Sequence, residues 1–399
     1  MAIPQYYCNP LHMFVFLLSI IVIISVISAE CKFRNDSSSI AIASSDYGNM
    51  VYETPTFVLY PSSDADIIDL VMATSSSSTI AARGHGHSVR GQALTSGGVV
   101  VNMTTLGENK TSDRIVIGWN ESSGFYADVG TEQLWVDVLR ATLKHGLAPI
   151  SWTDYLYLSV GGTLSNAGIG GQAFLHGPQI VNVHQLQVIT GKGENLTCSP
   201  NENPELFHAV LGGLGQFGII TKARIVLDKA PTNYRLCINL QARRAGNVDN
   251  PQMGSQQLSH PFLILFIQKS DIVKFNTLVL AGMLPRLNQS LGLFNLYPLN
   301  KMKWNDSMSA VTPDEDIFYG LGLLHSTPKD AYQSIDDFNN EILDVCKKWD
   351  IKIKQYLPHY TTQEDWINHF GLVKWDTFMK RKKLFDPKKI LAPGQKIFN

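Results

Sequence analysis

Apolar and polar positions alternate between helical and extended spacing along the chain, and no segment repeats. Apolar residues recur at helical spacing in Asp64–Ala73 and in Thr131–His145, where Gly146 follows the last turn. Further helices are predicted at Pro204–Leu211, Asp330–Trp349 and Gln363–His369, and strands at Thr79–Arg83, Val99–Asn102, Arg114–Ile117 and Phe125–Val129. Because the glycines are concentrated in a few loops between these elements, the pattern predicts an α+β chain.

The longest uninterrupted run of apolar residues and serines lies near the N-terminus. Met13–Ile27 has fifteen positions, whereas a bilayer span takes about 20. Small residues at Ser28 and Ala29 suit signal-peptidase cleavage, so residues 1–29 are predicted to be a signal peptide, and no stable membrane span is expected. An uncleaved signal anchor is the alternative, because Met1–His12 contains no Lys or Arg.

Seven Asn-x-Ser/Thr sequons agree with entry into the secretory pathway. They lie at Asn35, Asn102, Asn109, Asn120, Asn195, Asn288 and Asn305. Glycosylation requires a surface position, so we expect some of the seven to be accidental. The expected destination is the extracellular space or a vacuole, with the endoplasmic reticulum as a further alternative.

Composition limits the classes of protein that this chain can belong to. A length of 399 residues predicts two or three domains, and 44% apolar residues exclude intrinsic disorder. A net charge of -1 provides no basic field for a nucleic acid backbone, so a nucleic acid partner is not expected. The cysteines beyond the predicted signal peptide are too scattered for a disulfide framework or a zinc site, and we expect buried free thiols at Cys31, Cys198, Cys237 and Cys346.

The first glycine-rich loop, Arg83–Ala93, has the composition of a pyrophosphate site. Its glycines allow close approach of the backbone and point N–H groups inward, and a serine hydroxyl adds a further donor. These residues are Gly84, Gly86, Gly91 and Ser88. Two alternatives remain: a metal site at His85 and His87, for which no third ligand lies nearby, or an ordinary turn.

A second loop, Gly212–Gly218, contains a formal G-x-G-x-x-G pattern beginning at Gly213. A dinucleotide fingerprint must follow a strand and open a helix. Here a helical stretch precedes the loop and a β-rich run, Ile219–Val226, follows it. The order is reversed, so the sequence predicts a glycine-rich wall against a ligand or a neighbouring backbone and excludes a Rossmann domain.

A third segment, Trp152–Asn166, surrounds a single carboxylate with aromatic and apolar residues. If Asp154 is buried there, loss of hydration raises its pKa and makes it an effective base near neutral pH. The alternative is an aspartate that caps a turn through backbone N–H groups. Hydroxyl and amide side chains beside Gly161 and Gly162 provide a polar, uncharged surface suited to a cofactor.

These stretches together resemble plant cytokinin dehydrogenase, a flavoprotein of the vanillyl-alcohol oxidase type. The resemblance includes the Gly-His-Ser-x-x-Gly-Gln-Ala loop at 86–93, the segment 151–166 and several later segments: Thr190–Gly193, Leu206–Arg224, Tyr297–Asn300, Trp304–Asp316, Gln355–Tyr360 and Ala392–Phe398. It covers most of residues 50–230 and 295–399. It implies a split FAD-binding domain of the PCMH type at 50–230, a cytokinin-binding substrate domain at 231–355 and a return to the FAD-binding domain at 356–399.

The resemblance also implies site residues, which we transfer by position. His87 matches the histidine that holds FAD covalently through its 8α-methyl carbon, and Asp154 matches the catalytic aspartate. Further cofactor-binding positions are Gly84, His85, Gly86, Ser88, Gln92, Ser159, Ser165, Ile169, Ile220, Tyr356 and Gln395. Substrate positions are Asp154, Phe262 and Leu357, and no metal is expected.

The implied reaction is oxidation of an N6-substituted adenine that bears an isoprenoid side chain, such as isopentenyladenine or zeatin. Asp154 would accept a hydrogen bond or proton from the side-chain amine while a hydride leaves the adjacent carbon for the flavin. The resulting imine hydrolyses to adenine and an aldehyde. A quinone or oxygen would reoxidise the flavin, and the protein is expected to be a monomer in the apoplast or vacuole.

The chain departs from the family pattern in its middle. After Pro231 it reaches Tyr234–Cys237, which resembles a strand found much further along in relatives, and a second piece is absent between about residues 247 and 260. The first missing piece normally supplies a glutamate at the substrate entrance. Ile264 stands where relatives commonly have an asparagine that could orient adenine.

A shortened substrate domain exposes apolar faces and sheet edges that the missing elements would cover. Three outcomes follow: a compact active variant, a flavin binder without turnover, or an unstable truncated product. A related flavin oxidase of another small molecule is a further alternative.

Overall fold

The computed structural model of the chain describes residues 32–107, 114–231, 258–287 and 292–398. Several sequence-based expectations fall on positions outside these described residues: the signal peptide, Cys31, Cys237, the sequons at Asn109 and Asn288, and the segment Tyr234–Cys237. None of the helices in the described ranges combines the length and the apolar character that crossing a membrane requires.

The N-terminal part builds two sheets. The first contains β1 (Phe33–Arg34), β2 (Phe57–Leu59), β4 (Val99–Asn102) and β3 (Ile80–Arg83) in that spatial order, with β2 and β3 parallel to β4. Two helices accompany it: α1 (Ser37–Ala43) and α2 (Asp64–Ala73). The helix α2 buries Ile67, Leu70 and Val71, which recur at helical spacing, against this sheet.

The second sheet lies on the other side of the cavity that is described below. Its strands run in the order β5 (Ile115–Asn120), β6 (Gly124–Gly130), β10 (Gly218–Lys229), β8 (Val183–Thr190) and β9 (Asn195–Cys198), and β7 (Leu147–Pro149) pairs with the end of β10. The accompanying helices are α3 (Trp135–Leu143), α4 (Val160–Leu164), α5 (Ala173–His176) and α6 (Pro204–Val210). The long strand β10 begins at the last glycine of the second loop, so this loop lies at the inner end of the sheet.

A third sheet follows the gap in the described residues. It contains β13 (Leu293–Asn300), β14 (Ile317–Leu324), β12 (Leu263–Gln268) and β16 (Ile353–Gln355), all antiparallel, and a short pair joins β11 (Leu258–Ser259) to β15 (Thr327–Pro328). Helices α7 (Ile272–Phe275) and α8 (Tyr332–Lys348) cover its outer side, where Leu265, Leu321 and Ile342 share one apolar cluster. We call it the substrate sheet, after the domain expected here.

The C-terminal segment returns to the first sheet. After α9 (Gln363–Phe370) and α10 (Leu372–Phe385), Ile80 exchanges backbone hydrogen bonds with Ile390 and Ala392 at 2.7 and 3.0 Å. Isolated turns of 3-10 or π-helix lie at Met103–Gly107, Gln179–Val181, Lys269–Asp271, Asn276–Leu280, Leu284–Arg286, Lys301–Lys303 and Pro393–Gln395. The split arrangement brings residues near 80, 215 and 395 to one place.

Each of the five helices and four strands predicted from the sequence is present with bounds that differ by at most a few residues, and one start was wrong. The helix expected over Thr131–His145 covers only Trp135–Leu143. Thr131 is held instead by tertiary hydrogen bonds, since its hydroxyl donates to the carbonyl of Ile220 at 2.5 Å, and Leu134 has an extended backbone that bridges to Ser159. The free thiols expected at Cys198 and Cys346 are both buried.

Candidate active site

A cavity of about 940 Å³ lies between the two N-terminal sheets and the substrate sheet. Residues from all three sheets and from the C-terminal segment line it. Every site residue transferred from the family resemblance is among them: Gly84, His85, Gly86, His87, Ser88, Gln92, Asp154, Ser159, Ser165, Ile169, Ile220, Phe262, Tyr356, Leu357 and Gln395. Gly91 of the predicted pyrophosphate loop is not among the lining residues. Positions more than 300 residues apart in sequence therefore face one space.

The first glycine-rich loop follows β3 and forms one wall of this cavity. Gly86 and Gly91 both have φ of +78°, a conformation that residues with a Cβ rarely adopt. At Gly84 a Cβ would collide with the hydroxyl of Ser159, so the absence of a side chain lets the loop approach helix α4. The sequence pattern therefore reflects a real steric need at these three glycines.

A buried carboxylate that sequence reasoning missed holds this loop in place. Asp46 accepts hydrogen bonds from the Gly91 N–H at 2.7 Å and from the Ser88 hydroxyl at 3.2 Å. Burial raises its pKa, while these donors and the charge of Arg83 oppose the rise. The Ser88 hydroxyl therefore already donates its hydrogen bond to Asp46 in this structure. No local pattern singles out Asp46, because its partners lie more than 40 residues away.

Unpaired polar atoms in the cavity wall fit a cofactor of the FAD type. The amide nitrogen Nε2 of Gln92 and the oxygens Oδ1 of Asn166 and Oε1 of Gln395 are buried and have no hydrogen-bond partner in the described protein. Buried amides normally find partners, and all three residues line the cavity. The loop glycines and these three amides, which offer both a donor and acceptors, suit an elongated group with pyrophosphate and ring-edge carbonyl and N–H groups.

His87 lies on this wall in the neutral state. Burial, the neighbouring imidazoles of His85 and His260, and the charge of Arg83 lower its pKa to about 4. Its ring stacks on Tyr47 with centroids 4.5 Å apart and on His85 at 5.1 Å. An uncharged imidazole has a free lone pair on one nitrogen and is therefore a nucleophile at neutral pH.

No alternative metal site is found around this histidine pair. Within residues 32–107, 114–231, 258–287 and 292–398, no group of three or more His, Cys, Asp or Glu side chains is placed to hold a metal ion. His85 and His87 consequently have no third ligand of this type in the described parts of the chain. The pyrophosphate-type interpretation of this loop agrees better with its geometry.

Asp154 faces the cavity from the opposite wall. Its side chain is open to the cavity, while protein atoms enclose it elsewhere, and this desolvation raises its pKa. The Gly171 N–H donates to its Oδ1 at 3.3 Å, and the Tyr297 hydroxyl lies beside the same carboxylate; both neighbours oppose the rise in its pKa. Because Gly171 lies 17 positions further along the chain, this hydrogen bond is a tertiary contact and not the cap of a local turn.

The neighbours of Asp154 come from the substrate sheet. Tyr297 lies on β13, and burial together with the nearby carboxylate raises its pKa. Tyr356 follows β16, and its hydroxyl accepts from the Gly168 N–H at 2.9 Å. Sequence reasoning placed Tyr356 near the cofactor but did not identify Tyr297 as a site residue. The only available signal was its position inside a stretch that resembles the family.

The part of the cavity next to Asp154 is apolar. Ile264 lies on β12, Phe262 immediately precedes this strand, Leu357 follows β16, and further apolar contacts come from Leu293, Phe294, Leu296 and Leu324. The described lining contains no Lys or Arg. A neutral, largely apolar molecule fits this region, with Asp154 and Tyr297 as its polar end.

The second glycine loop forms the floor of the cavity. It follows α6 and precedes β10, so the order of helix and strand that excludes a Rossmann domain is confirmed. Leu214 and Gly215 both have positive φ, and Gln216 donates from its amide to the carbonyl of Ala392 at 2.9 Å. The loop thus contacts the C-terminal return instead of a helix N-terminus.

The chain is similar to known flavoproteins. A family model described as FAD binding domain matches residues 55–199, and one described as cytokinin dehydrogenase 1, FAD and cytokinin binding, matches residues 240–398. The fold is similar to that of 6-hydroxy-D-nicotine oxidase from Arthrobacter nicotinovorans, with a TM-score of 0.65, 17% identity, and coverage of 89% of this chain and 95% of that chain. The VAO-type flavoprotein MtVAO615 from Myceliophthora thermophila gives a TM-score of 0.65 at 15% identity, covering 85% and 79%. The predicted vanillyl-alcohol oxidase type of FAD-binding fold is confirmed.

Named relatives then identify the family within this class. Cytokinin dehydrogenase 4 of Arabidopsis thaliana is 39% identical, with 94% of this chain and 93% of the relative covered. Cytokinin dehydrogenase 2 of the same plant is 41% identical over 93% and 94%, and cytokinin dehydrogenase 6 of Oryza sativa subsp. japonica is 37% identical over 93% and 92%. The chain belongs to the cytokinin dehydrogenase family.

The chain is nevertheless shorter than the region it matches. The alignment with cytokinin dehydrogenase 4 extends over 493 positions, whereas this chain has 399 residues, so at least 94 positions of the alignment face a gap in this chain. The sequence-based expectation that the gaps lie after Pro231 falls on residues that are not described. In the part that is described, the cavity has walls from both the flavin side and the substrate sheet.

Proposed function

We propose that this chain is an active FAD-dependent cytokinin dehydrogenase, which cleaves the N6 side chain of cytokinins such as isopentenyladenine and zeatin to adenine and an aldehyde. The observation that carries the proposal is the position of Asp154: a carboxylate of raised pKa faces one cavity together with His87 and the orphaned amides. Family membership supplies the substrate class, and the apolar wall beside Asp154 suits an isoprenoid chain.

Asp154 is the proposed base. The N6 amine of the substrate gives its proton to the carboxylate as a hydride leaves the adjacent carbon, which forms a C=N bond. Water then hydrolyses this imine to adenine and the aldehyde. The Tyr297 hydroxyl and the Gly171 N–H orient the carboxylate, and the apolar wall excludes water from the reacting amine. Bound FAD supplies the two-electron acceptor for the hydride, and a quinone or oxygen takes up the electrons.

The residues that would hold FAD lie on five segments. Gly84, His85, Gly86, Ser88 and Gln92 belong to the first glycine-rich loop, Ser159 and Ser165 flank helix α4 and Ile169 follows it, Ile220 lies on β10, Tyr356 follows β16, and Gln395 lies in the C-terminal return. The unpaired amides of Gln92 and Gln395 would gain partners on binding. Removing the amide of Gln92 or Gln395 should therefore weaken FAD binding more than removing a side chain that already has a partner in the protein.

A covalent bond to His87 completes the proposal. His87 would hold FAD through a bond from an imidazole nitrogen to the 8α-methyl carbon; forming this bond would release one proton from that carbon and one from the imidazole, and two electrons would pass to the quinone or oxygen. The decisive experiment purifies the protein, measures flavin absorbance that survives acid precipitation, and adds isopentenyladenine with a quinone dye. His87→Ala is the control for the bond.

The outcomes of this experiment separate the alternatives. Covalent flavin with turnover of isopentenyladenine supports the full proposal. Covalent flavin without turnover identifies a catalytically impaired paralogue, and turnover of a different amine or alcohol identifies a related flavin oxidase. A folded protein without any bound flavin contradicts the proposal.

Secretion, glycosylation and a monomeric state are further parts of the proposal. Three of the sequon asparagines, Asn35, Asn195 and Asn305, are exposed, whereas Asn102 and Asn120 are half-buried. Glycopeptide mapping of protein from the apoplast or vacuole, with sizing before and after deglycosylation, tests all three points.

A further inference from the structure

Four rings form a stack that joins the first glycine-rich loop, Arg83–Ala93, to the substrate sheet. We call this loop the flavin loop. The centroids of His85 and His87 are 5.1 Å apart, those of His87 and Tyr47 are 4.5 Å apart, and those of Tyr47 and His260 are 3.9 Å apart. The planes within each pair differ by 7, 20 and 7°, respectively. Tyr47 therefore lies in contact with both the proposed attachment residue and a histidine of the other domain.

Backbone hydrogen bonds hold Tyr47 in this position. Its N–H donates to the carbonyl of Gly86 at 2.9 Å, and the Gly48 N–H donates to the carbonyl of Ser88 at 3.2 Å. On the other side, the His260 N–H donates to the carbonyl of Gly48 at 2.9 Å. The segment carrying Tyr47 is thus bonded to the flavin loop and to the strand that enters the substrate sheet, and its ring has little freedom to move away from His87.

The surroundings of His87 contain few charges. His85 and Tyr155 lie on the cavity side, and His260, whose pKa burial lowers to about 4, lies beyond Tyr47. Arg83 is a cation close enough to lower the pKa of His87. The Asp46 carboxylate accepts hydrogen bonds from Ser88 and Gly91. His260 is itself held by its Nδ1, 2.9 Å from the Ser326 hydroxyl. The stack therefore keeps water from the His87 ring without placing an anion beside it.

We propose that Tyr47 and His260 are positioning residues for attachment of FAD: their stacked rings orient the His87 imidazole and shield it from water, so that it reacts as a nucleophile. This inference rests on the proposed covalent bond to His87. Because His260 belongs to the segment that leads into the substrate sheet, attachment would also depend on docking of that sheet against the flavin loop.

Variants that keep or remove the rings test the inference. In Tyr47→Leu and in His260→Leu, we expect a full complement of FAD in the native protein, a covalent fraction below about half, and attachment about tenfold slower. Tyr47→Phe and His260→Phe keep a ring and should retain complete attachment. Tyr52→Leu, on the same segment but exposed and outside the stack, is the matched control. Total FAD is measured on the native protein, and covalent FAD on the acid precipitate and on the peptide that contains His87.

The pH dependence separates positioning from general destabilisation. In the parent, attachment should proceed equally fast at about pH 5.5 and about pH 8, because His87 is neutral at both. In Tyr47→Leu, water reaches the ring and its pKa moves toward its usual value, so attachment should be slower at the lower pH. Equal covalent fractions in the parent and both Leu variants would overturn the inference. If Tyr47→Leu does not fold, His260→Leu decides by the same criteria. A parent that releases all its FAD in acid refutes the covalent bond itself.

Discussion

The Tyr297 hydroxyl lies beside the Asp154 carboxylate across the boundary between the flavin-binding part and the substrate sheet, and each group shifts the pKa of the other. This contact joins residues separated by more than 140 positions and opposes the rise in the pKa of Asp154 that burial causes. The proton affinity of the proposed base is therefore set in part by a residue of the substrate sheet.

Removal of that hydroxyl should shift the pH profile of the reaction. Tyr297→Phe removes a hydrogen bond to the charged form, so the pKa of Asp154 rises, and the acidic limb of kcat/KM should move upward by about one pH unit. Steady-state rates of isopentenyladenine oxidation measured against pH test this. Tyr126→Phe, a tyrosine outside the cavity lining, is the control. An unchanged limb would show that Tyr297 does not bond to the carboxylate in the working enzyme.

Loss of the base itself should have a larger effect on turnover than on the cofactor. Asp154→Asn preserves the shape of the side chain but not its basicity, and kcat should fall by about 10² or more. Covalent FAD should stay complete, because Asp154 is not part of the flavin loop. Rapid-mixing measurements of flavin bleaching by the substrate check the chemical step directly. Turnover within a few-fold of the parent would exclude Asp154 as the base.

Restoring a polar side chain in the apolar wall should improve substrate binding. Ile264 lies on β12 and lines the cavity at a position where the resemblance to the family implies an asparagine. In Ile264→Asn one new hydrogen bond to adenine, worth about 1 kcal/mol, should lower the KM for isopentenyladenine about fivefold. Ile264→Val keeps the position apolar and serves as the control. A raised KM in the Asn variant would mean that adenine does not face this residue.

A buried ion pair should contribute strongly to stability. Lys382 and Asp386 are 2.8 Å apart, and their side chains are only 3% and 0% exposed. Asp386 also accepts from the N–H groups of Ile390 and Leu391 in the C-terminal return. Lys382→Met leaves the carboxylate buried without its cation and should cost about 3 to 5 kcal/mol of unfolding free energy.

The same helix provides a matched control for that ion pair. Lys380 and Asp376 form an exposed pair with the same spacing, and Lys380→Met should change stability by less than about 1 kcal/mol. Urea unfolding of both variants measures the difference. Equal midpoints for Lys382→Met and Lys380→Met would contradict the assigned role.

A buried histidine should make stability fall in mild acid. Burial lowers the pKa of His369 to about 3, below its unfolded value of about 6.5. Between these values only the unfolded chain binds the proton, so unfolding free energy should decrease as pH falls, by about 1.4 kcal/mol per pH unit for this group. Urea midpoints of the parent and of His369→Gln across this range test it, and the variant should have a shallower slope. Parallel slopes would contradict the neutral buried state.

The sequence by itself determined the local elements and the residue types of the site. Helix α2 and strand β4 have the predicted bounds, and the three loop glycines and Asp154 were identified because close backbone approach and an isolated carboxylate leave local patterns. The resemblance to the family added the positions that have no local pattern, such as Tyr356 and Gln395.

Only the tertiary structure decided which side chains meet. The hydrogen bonds of Asp46 to the flavin loop, the contact of Tyr297 with Asp154 and the stack of Tyr47 on His87 all join segments far apart in sequence. The same reason explains the late start of helix α3, where hydrogen bonds from Thr131 to β10 replace the first helical turn. Periodicity records whether a residue is buried, but the identity of its neighbour depends on how the sheets pack together.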